Sequence, residues 1–153
     1  MRIVVVSDSH RATRYLYKIV EKHMDTADLF IFLGDIDSDF DSVLMLYPNI
    51  RYERVAGNND FSSVYPYEKL LDLGGKKIFI CHGHTKHVKF GYGEIVSFCK
   101  NIGADLCLFG HTHVAYSNYD DGLYILNPGA VCSGEYAMVD IEKSGIVLIP
   151  CKI

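Results

Sequence analysis

The sequence lacks paired cysteines and long apolar runs. Its five cysteines are odd in number and none forms a C-x-x-C pair, so we interpret them as reduced, buried thiols of a cytosolic protein. No apolar run approaches the roughly 20 residues of a membrane span. The apolar run at residues 3–6 is also too short for a secretory signal. The sequence therefore predicts a cytoplasmic chain with no membrane association.

The chain also has no excess of basic over acidic residues. Lys and Arg number 15 against 19 Asp and Glu, which gives a formal net charge of −4. Proteins that hold long nucleic acids use a basic face against the phosphates, so we expect no stable nucleic-acid binding. Small phosphate compounds remain compatible with this charge, because bound cations can supply positive charge.

Repeats, low-complexity tracts and Pro/Gly/Ser linkers are absent, and 49% of the 153 residues are hydrophobic. We therefore predict one domain over residues 1–153. Short apolar runs alternate with amphipathic stretches, and the chain after residue 115 reads as strands separated by turns. Strands are predicted at residues 2–6, 29–33, 52–56, 69–73, 76–81 and 105–109, and helices at 11–24, 40–46 and 93–102. This order predicts an α/β fold in which two sheets pack together and helices cover the outside.

Polar clusters begin where the predicted strands end. They are Asp8-Ser9-His10, Gly34-Asp35, Gly57-Asn58-Asn59-Asp60, His82-Gly83-His84 and Gly110-His111-Thr112-His113. Taken singly, each is explained as a cap, a turn or a hydrogen-bonded core histidine. Ligand sites of open α/β sheets assemble at the carboxyl ends of strands, so we expect the clusters to converge. Carboxylate, imidazole and amide donors without a thiolate favour a divalent ion such as Mn, Fe or Zn and disfavour a structural zinc site.

The order of these motifs resembles the calcineurin-like metallophosphoesterases, and the short length resembles their small bacterial and archaeal phosphodiesterase branch. The matching motifs run from residue 8 to 113, and Asn127-Pro128-Gly129 resembles the segment that follows in that branch. The resemblance implies the family's four-layer αββα fold, with two sheets flanked by helices. It also implies hydrolysis of a small phosphate ester, most of all a phosphodiester, by a metal-bridging hydroxide.

The resemblance further implies two divalent metal ions, with manganese expected and iron, zinc, nickel or cobalt as alternatives. Asp35 would bridge the two ions, since a carboxylate can span two metals and an imidazole cannot. The first ion would be held by Asp8, His10, Asp35 and His113, and the second by Asp35, Asn58, His82 and His111.

One position departs from the nuclease and phosphatase branches, where a histidine follows the asparagine of the third motif. Here it is Asn59, which can donate a hydrogen bond but cannot transfer a proton. His84 is a candidate donor to the leaving oxygen, with an orienting or structural role equally open. Asp60 is expected to orient a ligand or a turn.

Other polar and aromatic residues have plainer interpretations. His23 is predicted to be packed or exposed and His87 exposed. Asp37, Asp39 and Asp41 are predicted to form a solvated helix start. The aromatic residues Tyr65, Tyr67 and Tyr92 either border a substrate pocket or belong to the core.

The sequence is less consistent with two other functions. A nuclease acting on DNA ends is disfavoured by Asn59 and by the acidic balance of the chain. A non-catalytic scaffold of the retromer-subunit type is disfavoured by the complete ligand set, which includes His10. The sequence leaves a homo-oligomer open.

Overall fold

The computed structural model describes residues 1–153, which form three α-helices and ten strands. The helices are α1 (Thr13–His23), α2 (Asp37–Leu46) and α3 (Gly93–Asn101). The strands are β1 (Arg2–Val6), β2 (Leu29–Phe32), β3 (Tyr52–Arg54), β4 (Glu68–Leu73), β5 (Lys76–Cys81), β6 (Leu106–Leu108), β7 (Tyr116–Asp120), β8 (Leu123–Asn127), β9 (Glu135–Glu142) and β10 (Gly145–Lys152). None of the helices is long and apolar enough to cross a membrane.

The strands form two mixed five-stranded sheets. The first sheet has the order β10-β9-β1-β2-β3, and β1, β2 and β3 run parallel. The second has the order β4-β5-β6-β8-β7, and β5, β6 and β8 run parallel. Each parallel set is flanked by antiparallel strands such as β9 and β4.

The central strands are buried on both faces, which is why they read as continuous apolar runs. Ile3 and Val5 of β1 belong to the core between the two sheets, whereas Val4 and Val6 pack beneath α1 and α2. A third core lies under α3, on the outer face of the second sheet. The layers are therefore helix, sheet, sheet and helix, and the predicted αββα fold is confirmed.

This layering determines where the polar clusters lie. Parallel strands end at the same edge of a sheet, so the carboxyl ends of β1, β2 and β3 adjoin one another, as do those of β5, β6 and β8. The polar clusters predicted from the sequence begin at those ends. Most predicted boundaries differ from the observed ones by no more than two residues, and the largest difference is at α2, which begins at Asp37 rather than at residue 40.

Candidate metal centre

All seven predicted metal ligands meet between the two sheets. The first sheet supplies the loops after β1, β2 and β3, and the second supplies the loops after β5 and β6. Two groups of side chains converge closely enough to hold an ion. They are Asp8, His10 and His113, and Asp8, Asp35 and His82.

The first group is built on Asp8, a fully buried carboxylate. Its Oδ2 accepts hydrogen bonds from Ser7 Oγ at 2.6 Å and from the His111 N–H at 3.0 Å. Its Oδ1 is buried and accepts no hydrogen bond, although His113 Nε2 lies 3.1 Å away. His10 Nε2 lies 3.1 Å from His113 Nε2, so both rings direct a nitrogen towards the orphaned oxygen.

The second group is built on His82, which is also fully buried. Its Nδ1 donates to the Leu33 carbonyl at 2.8 Å, and this bond leaves a lone pair on Nε2. That Nε2 lies 3.0 Å from Asn58 Oδ1 and 3.1 Å from His111 Nδ1. Burial, followed by the neighbouring His82, lowers the pKa of His111 to about 4, so its ring is neutral as a ligand must be.

Asp35 belongs to the second group and also faces His10 of the first. Its Oδ2 is 3.7 Å from His10 Nε2, and its Oδ1 is 3.5 Å from His82 Nε2. Asp8 Oδ1 is also central, because it lies 3.8 Å from His10 Nε2 and 3.9 Å from His82 Nε2. The two carboxylates therefore form the middle of the centre, and the histidines lie around them.

The backbone of the centre is strained. Five of the seven predicted ligands have positive φ: Asp8 at 56°, His10 at 41°, Asp35 at 67°, His111 at 68° and His113 at 60°. Such conformations cost of order 1–3 kcal/mol each in non-glycine residues and concentrate at functional sites. A Cβ at Gly57 would overlap Asp35, and one at Gly110 would overlap Ser7 and Asp8. Glycine is therefore required where these loops approach the carboxylates.

Asp60 holds the loops after β2 and β3 together. Its carboxylate accepts four backbone N–H bonds of 2.7–3.0 Å, from Asp35, Ile36, Asp37 and Gly57. This geometry gives Asp60 the orienting role that the sequence predicted for it.

Asp39 has a role that the sequence reading missed. The solvated helix start predicted for Asp37, Asp39 and Asp41 is wrong for Asp39, which is only 6% exposed. Its Oδ2 accepts from Ser9 Oγ and from the Arg11 N–H, both at 2.7 Å. Asp39 thereby braces the loop that carries Asp8 and His10. The sequence signal for its burial was the position of Asp39 on the helical face that also carries Phe40 and Val43.

Asn59 and His84, the two predicted catalytic residues, differ in their surroundings. The Asn59 backbone N–H donates to Asp35 Oδ1 at 3.0 Å and its side-chain amide donates to Asp35 Oδ2 at 2.8 Å. His84 lies with its ring centroid 5.5 Å from that of His82, and its buried Nδ1 has no hydrogen-bond partner. Burial, followed by His82, lowers the pKa of His84. Tyr67 packs edge-on against the His84 ring, at the border of the centre.

The remaining histidines and the cysteines lie apart from the metal ligands. His23 is buried against Tyr136, and His87 is exposed beside Glu94. All five cysteines are free, three of them fully buried, and burial raises the pKa of Cys81 and Cys107.

The residues fit a divalent cation. A buried carboxylate oxygen without a hydrogen bond is costly unless a cation accompanies it. Here that oxygen, on Asp8, lies within 3.9 Å of an imidazole nitrogen of His10, His82 and His113. Oxygen and neutral nitrogen donors are the ligands of Mn, Fe, Zn and similar ions.

Comparisons with known proteins agree with this chemistry. The chain is 33% identical to the probable metallophosphoesterase YsnB of Bacillus subtilis over 132 residues, which cover 86% of this chain and 75% of that protein. It is 28% identical to a phosphodiesterase of Methanocaldococcus jannaschii over 149 residues, covering 86% and 85%. A crystal structure of a predicted phosphoesterase from Streptococcus pneumoniae matches with a TM-score of 0.84 and 27% identity, covering 99% and 88%.

The fold is shared more widely than the sequence. A Vps29 structure from Entamoeba histolytica matches with a TM-score of 0.76 at 15% identity, covering 100% and 99%. At that identity the likeness concerns the fold alone. The model of the calcineurin-like phosphoesterase superfamily domain matches residues 1–144. With that match over nearly its whole length, the chain belongs to the calcineurin-like phosphoesterase superfamily.

Proposed function

We propose that this protein is a dinuclear metal-dependent phosphodiesterase acting on a small phosphate diester. The observation that carries the proposal is the position of Asp35, whose two oxygens face separate histidines at 3.7 and 3.5 Å. A carboxylate placed in this way is suited to bridge two ions. The similarity to an archaeal phosphodiesterase supports the substrate class.

The proposed ligand sets share Asp35. One ion would be held by Asp8, His10, Asp35 and His113, and the other by Asp35, Asn58, His82 and His111. Divalent ions in such a centre lower the pKa of a bound water and neutralise charge on the phosphate. Manganese is the metal we propose to test first.

The chain's own residues position this chemistry. The bond from His82 to the Leu33 carbonyl fixes the ring so that Nε2 faces the centre. Asn59 holds the Asp35 carboxylate with two hydrogen bonds, and Asp8 is held by Ser7 and by the His111 backbone. In the reaction, water oxygen bonds to phosphorus, the bond to one ester oxygen breaks, and the departing alcohol takes up a proton.

Replacing Asp35 tests the proposal directly. Asp35→Asn removes the bridging charge, and we expect kcat for bis(p-nitrophenyl) phosphate to fall by at least about 10²-fold at saturating Mn²⁺. Asp25→Asn, which changes an exposed aspartate outside the centre, is the matched control. Circular dichroism would establish that both variants are folded. Near-normal turnover of the folded Asp35→Asn variant would rule out the bridging role.

Metal content separates an enzyme from a scaffold. The parent protein should bind two ions per chain by calorimetry and hydrolyse diesters faster than p-nitrophenyl phosphate. A non-catalytic scaffold would show no turnover and would tolerate empty or partly filled metal sites.

A further inference from the structure

Three unpaired cations lie in a row at the start of α1. Arg11 precedes the helix, Arg14 lies in its first turn and Lys18 lies one turn further on, and all three side chains are exposed. Residues three and four apart are neighbours on the surface of a helix, so Arg14 and Lys18 share one face. We call these three residues the basic row. It begins directly after His10, one of the candidate metal ligands.

The basic row has no carboxylate partners, because none of its side chains forms an ion pair. Other cations of the chain do form ion pairs, namely Arg2, Arg54, Lys69, Lys76, Lys86 and Lys100. Two further charged residues of α1 are engaged elsewhere, since Glu21 accepts a hydrogen bond from Tyr47 and Lys22 donates one to Tyr136. The basic row is therefore a local positive surface on a chain whose net charge is −4.

The position of the basic row opposes the helix dipole. The amino end of a helix carries partial positive charge, so acidic residues are favoured in its first turn and basic residues in its last. The first turn of α1 contains no acidic residue and includes Arg14, and Ala12 provides no side-chain cap. A helix face selected for stability alone would have the opposite order of charges. A bound anion would offset the repulsion.

The surroundings of the basic row favour a single phosphodiester strand as that anion. None of the exposed large hydrophobic residues lies between residues 11 and 22, whereas helices that bind a membrane surface insert apolar side chains. Tyr15 is partly exposed, and the Arg14 guanidinium lies 4.9 Å from the centroid of its ring. Proteins that bind single strands combine cations for the backbone with aromatic faces for the bases. Three cations in one line match one phosphate backbone.

We propose that the basic row binds a short single-stranded oligonucleotide, whose phosphates contact Arg11, Arg14 and Lys18 and whose bases meet Tyr15. The inference goes beyond the proposed function, because binding at this surface requires no hydrolysis. Three phosphate contacts give transient, salt-sensitive binding. Such binding is compatible with the acidic balance of the chain, which disfavours a stable complex with long nucleic acid.

The salt dependence of binding tests the number of contacts. The probe is fluorescein-labelled decathymidylate, and its anisotropy is measured with Zn²⁺-loaded protein freed of excess ions, with a gel to show that the strand is intact. The logarithm of the association constant falls with the logarithm of salt concentration by about 0.7 for each phosphate that a single strand has neutralised. A roughly fivefold rise in NaCl should therefore weaken binding to the parent by about 30-fold.

Variants locate the contacts on α1. In Arg14→Gln/Lys18→Gln the same rise in NaCl should weaken binding by only about threefold, because one contact of the row remains. Lys77→Gln/Lys143→Gln is the matched control, since it removes two charges from exposed lysines outside α1. Its salt dependence should equal that of the parent. The Tm of the α1 variant should not fall, because its lost cations lie towards the positive end of the helix.

Two results would overturn the proposal. One is an equal salt dependence in the parent and the α1 variant. The other is sedimentation of the parent with vesicles of about equal parts phosphatidylcholine and phosphatidylserine, without binding of the oligonucleotide, which would identify a membrane as the partner. Strand binding that depends on Arg14 and Lys18 supports the basic row even if bis(p-nitrophenyl) phosphate is not hydrolysed, and in that case only the phosphodiesterase proposal fails.

Discussion

At the residue scale, Asn59 occupies the position where the nuclease and phosphatase branches have a histidine, and its contacts are with Asp35. Both N–H groups that Asn59 turns towards the centre already donate to Asp35. His84 Nδ1 is buried without a partner, close to the rings of His82 and His111. We therefore propose that Asn59 orients Asp35 and that His84 supplies the hydrogen bond to the leaving oxygen.

A leaving-group series tests this division. Removal of the donor in His84→Ala should slow alkyl diesters more than activated aryl diesters, which steepens the dependence of kcat/KM on leaving-group pKa. Asn59→His should flatten the dependence, since a positioned proton donor contributes about 10²–10⁴-fold. The measurement is kcat/KM for aryl and alkyl diesters with the parent and both variants. Identical slopes in the three proteins would show that neither residue governs protonation.

Asp39 should matter although it lies outside the ligand set. Asp39→Ala removes the acceptor for Ser9 Oγ and for the Arg11 N–H, so the strained loop of Asp8 and His10 loses its brace. We expect metal affinity to fall by about 10–100-fold, the usual effect of losing a residue that orients ligands. Asp39→Asn keeps an acceptor oxygen and should restore most of the affinity. Calorimetric titration with Mn²⁺ checks both variants, and equal affinities for Ala and Asn would contradict the bracing role.

Residues with distinctive chemistry were predictable, and those that support them were not. Asp35 and His82 stood out because a carboxylate and an imidazole each close an apolar strand. Asp39 did not, because its partners Ser9 and Arg11 lie 30 and 28 residues away in sequence. Only the folded sheet brings them together, so no local pattern marks the contact.

At the element scale, His23 of α1 contacts Tyr136 of β9 in the sheet beneath the helix. Lys22 Nζ donates to Tyr136 Oη at 3.2 Å, and Tyr136 in turn lies 2.9 Å from His23 Nε2. With Lys22 donating, the Tyr136 hydroxyl is free to donate to His23, which requires a neutral ring. Burial, followed by the charge of Lys22, lowers the pKa of His23.

This arrangement predicts an acid-sensitive contact. The folded pKa of His23 is below its unfolded value, so the contact's stability is fully present above about pH 6.5. It is lost as the pH falls through the folded pKa. The free energy of unfolding should therefore fall less between pH 7 and pH 5 in His23→Gln than in the parent. Urea unfolding across that range is the measurement, with His87→Gln as the control because that side chain is 66% exposed. Parallel profiles for the parent and His23→Gln would contradict the assignment.

Elements buried on both faces were the most predictable. β1 and β5 match the predicted residues, because a strand between two packed layers has no polar face. The boundary of α2 was predicted three residues late, at residue 40, because the apolar spacing that marks the helix begins only at Phe40. The pairing of β9 with β1 was not predicted either, since antiparallel addition of a late strand leaves no local mark.

At the scale of the whole molecule, the candidate centre joins the two sheets. Asp8 and Asp35 follow strands of the first sheet, whereas His82, His111 and His113 follow strands of the second. Hydrogen bonds already cross at this edge, from His111 to Asp8 and from His82 to Leu33. Ions bound here would add strong bonds between the same two layers.

Metal binding should therefore stabilise the whole fold. Ions that bind only the folded chain add RT ln(1 + [L]/Kd), about 2.7 kcal/mol at a hundredfold excess over Kd. For a chain of this size that corresponds to a rise in Tm of roughly 5–10 °C. Differential scanning calorimetry with and without Mn²⁺ is the measurement, and EDTA should reverse the rise. Asp35→Asn should lose most of the shift because both ligand sets share that carboxylate. Asp25→Asn, in the exposed turn that follows α1, should retain it. An equal shift in parent and Asp35→Asn would place the stabilising metal outside this centre and would contradict the proposed joining of the sheets.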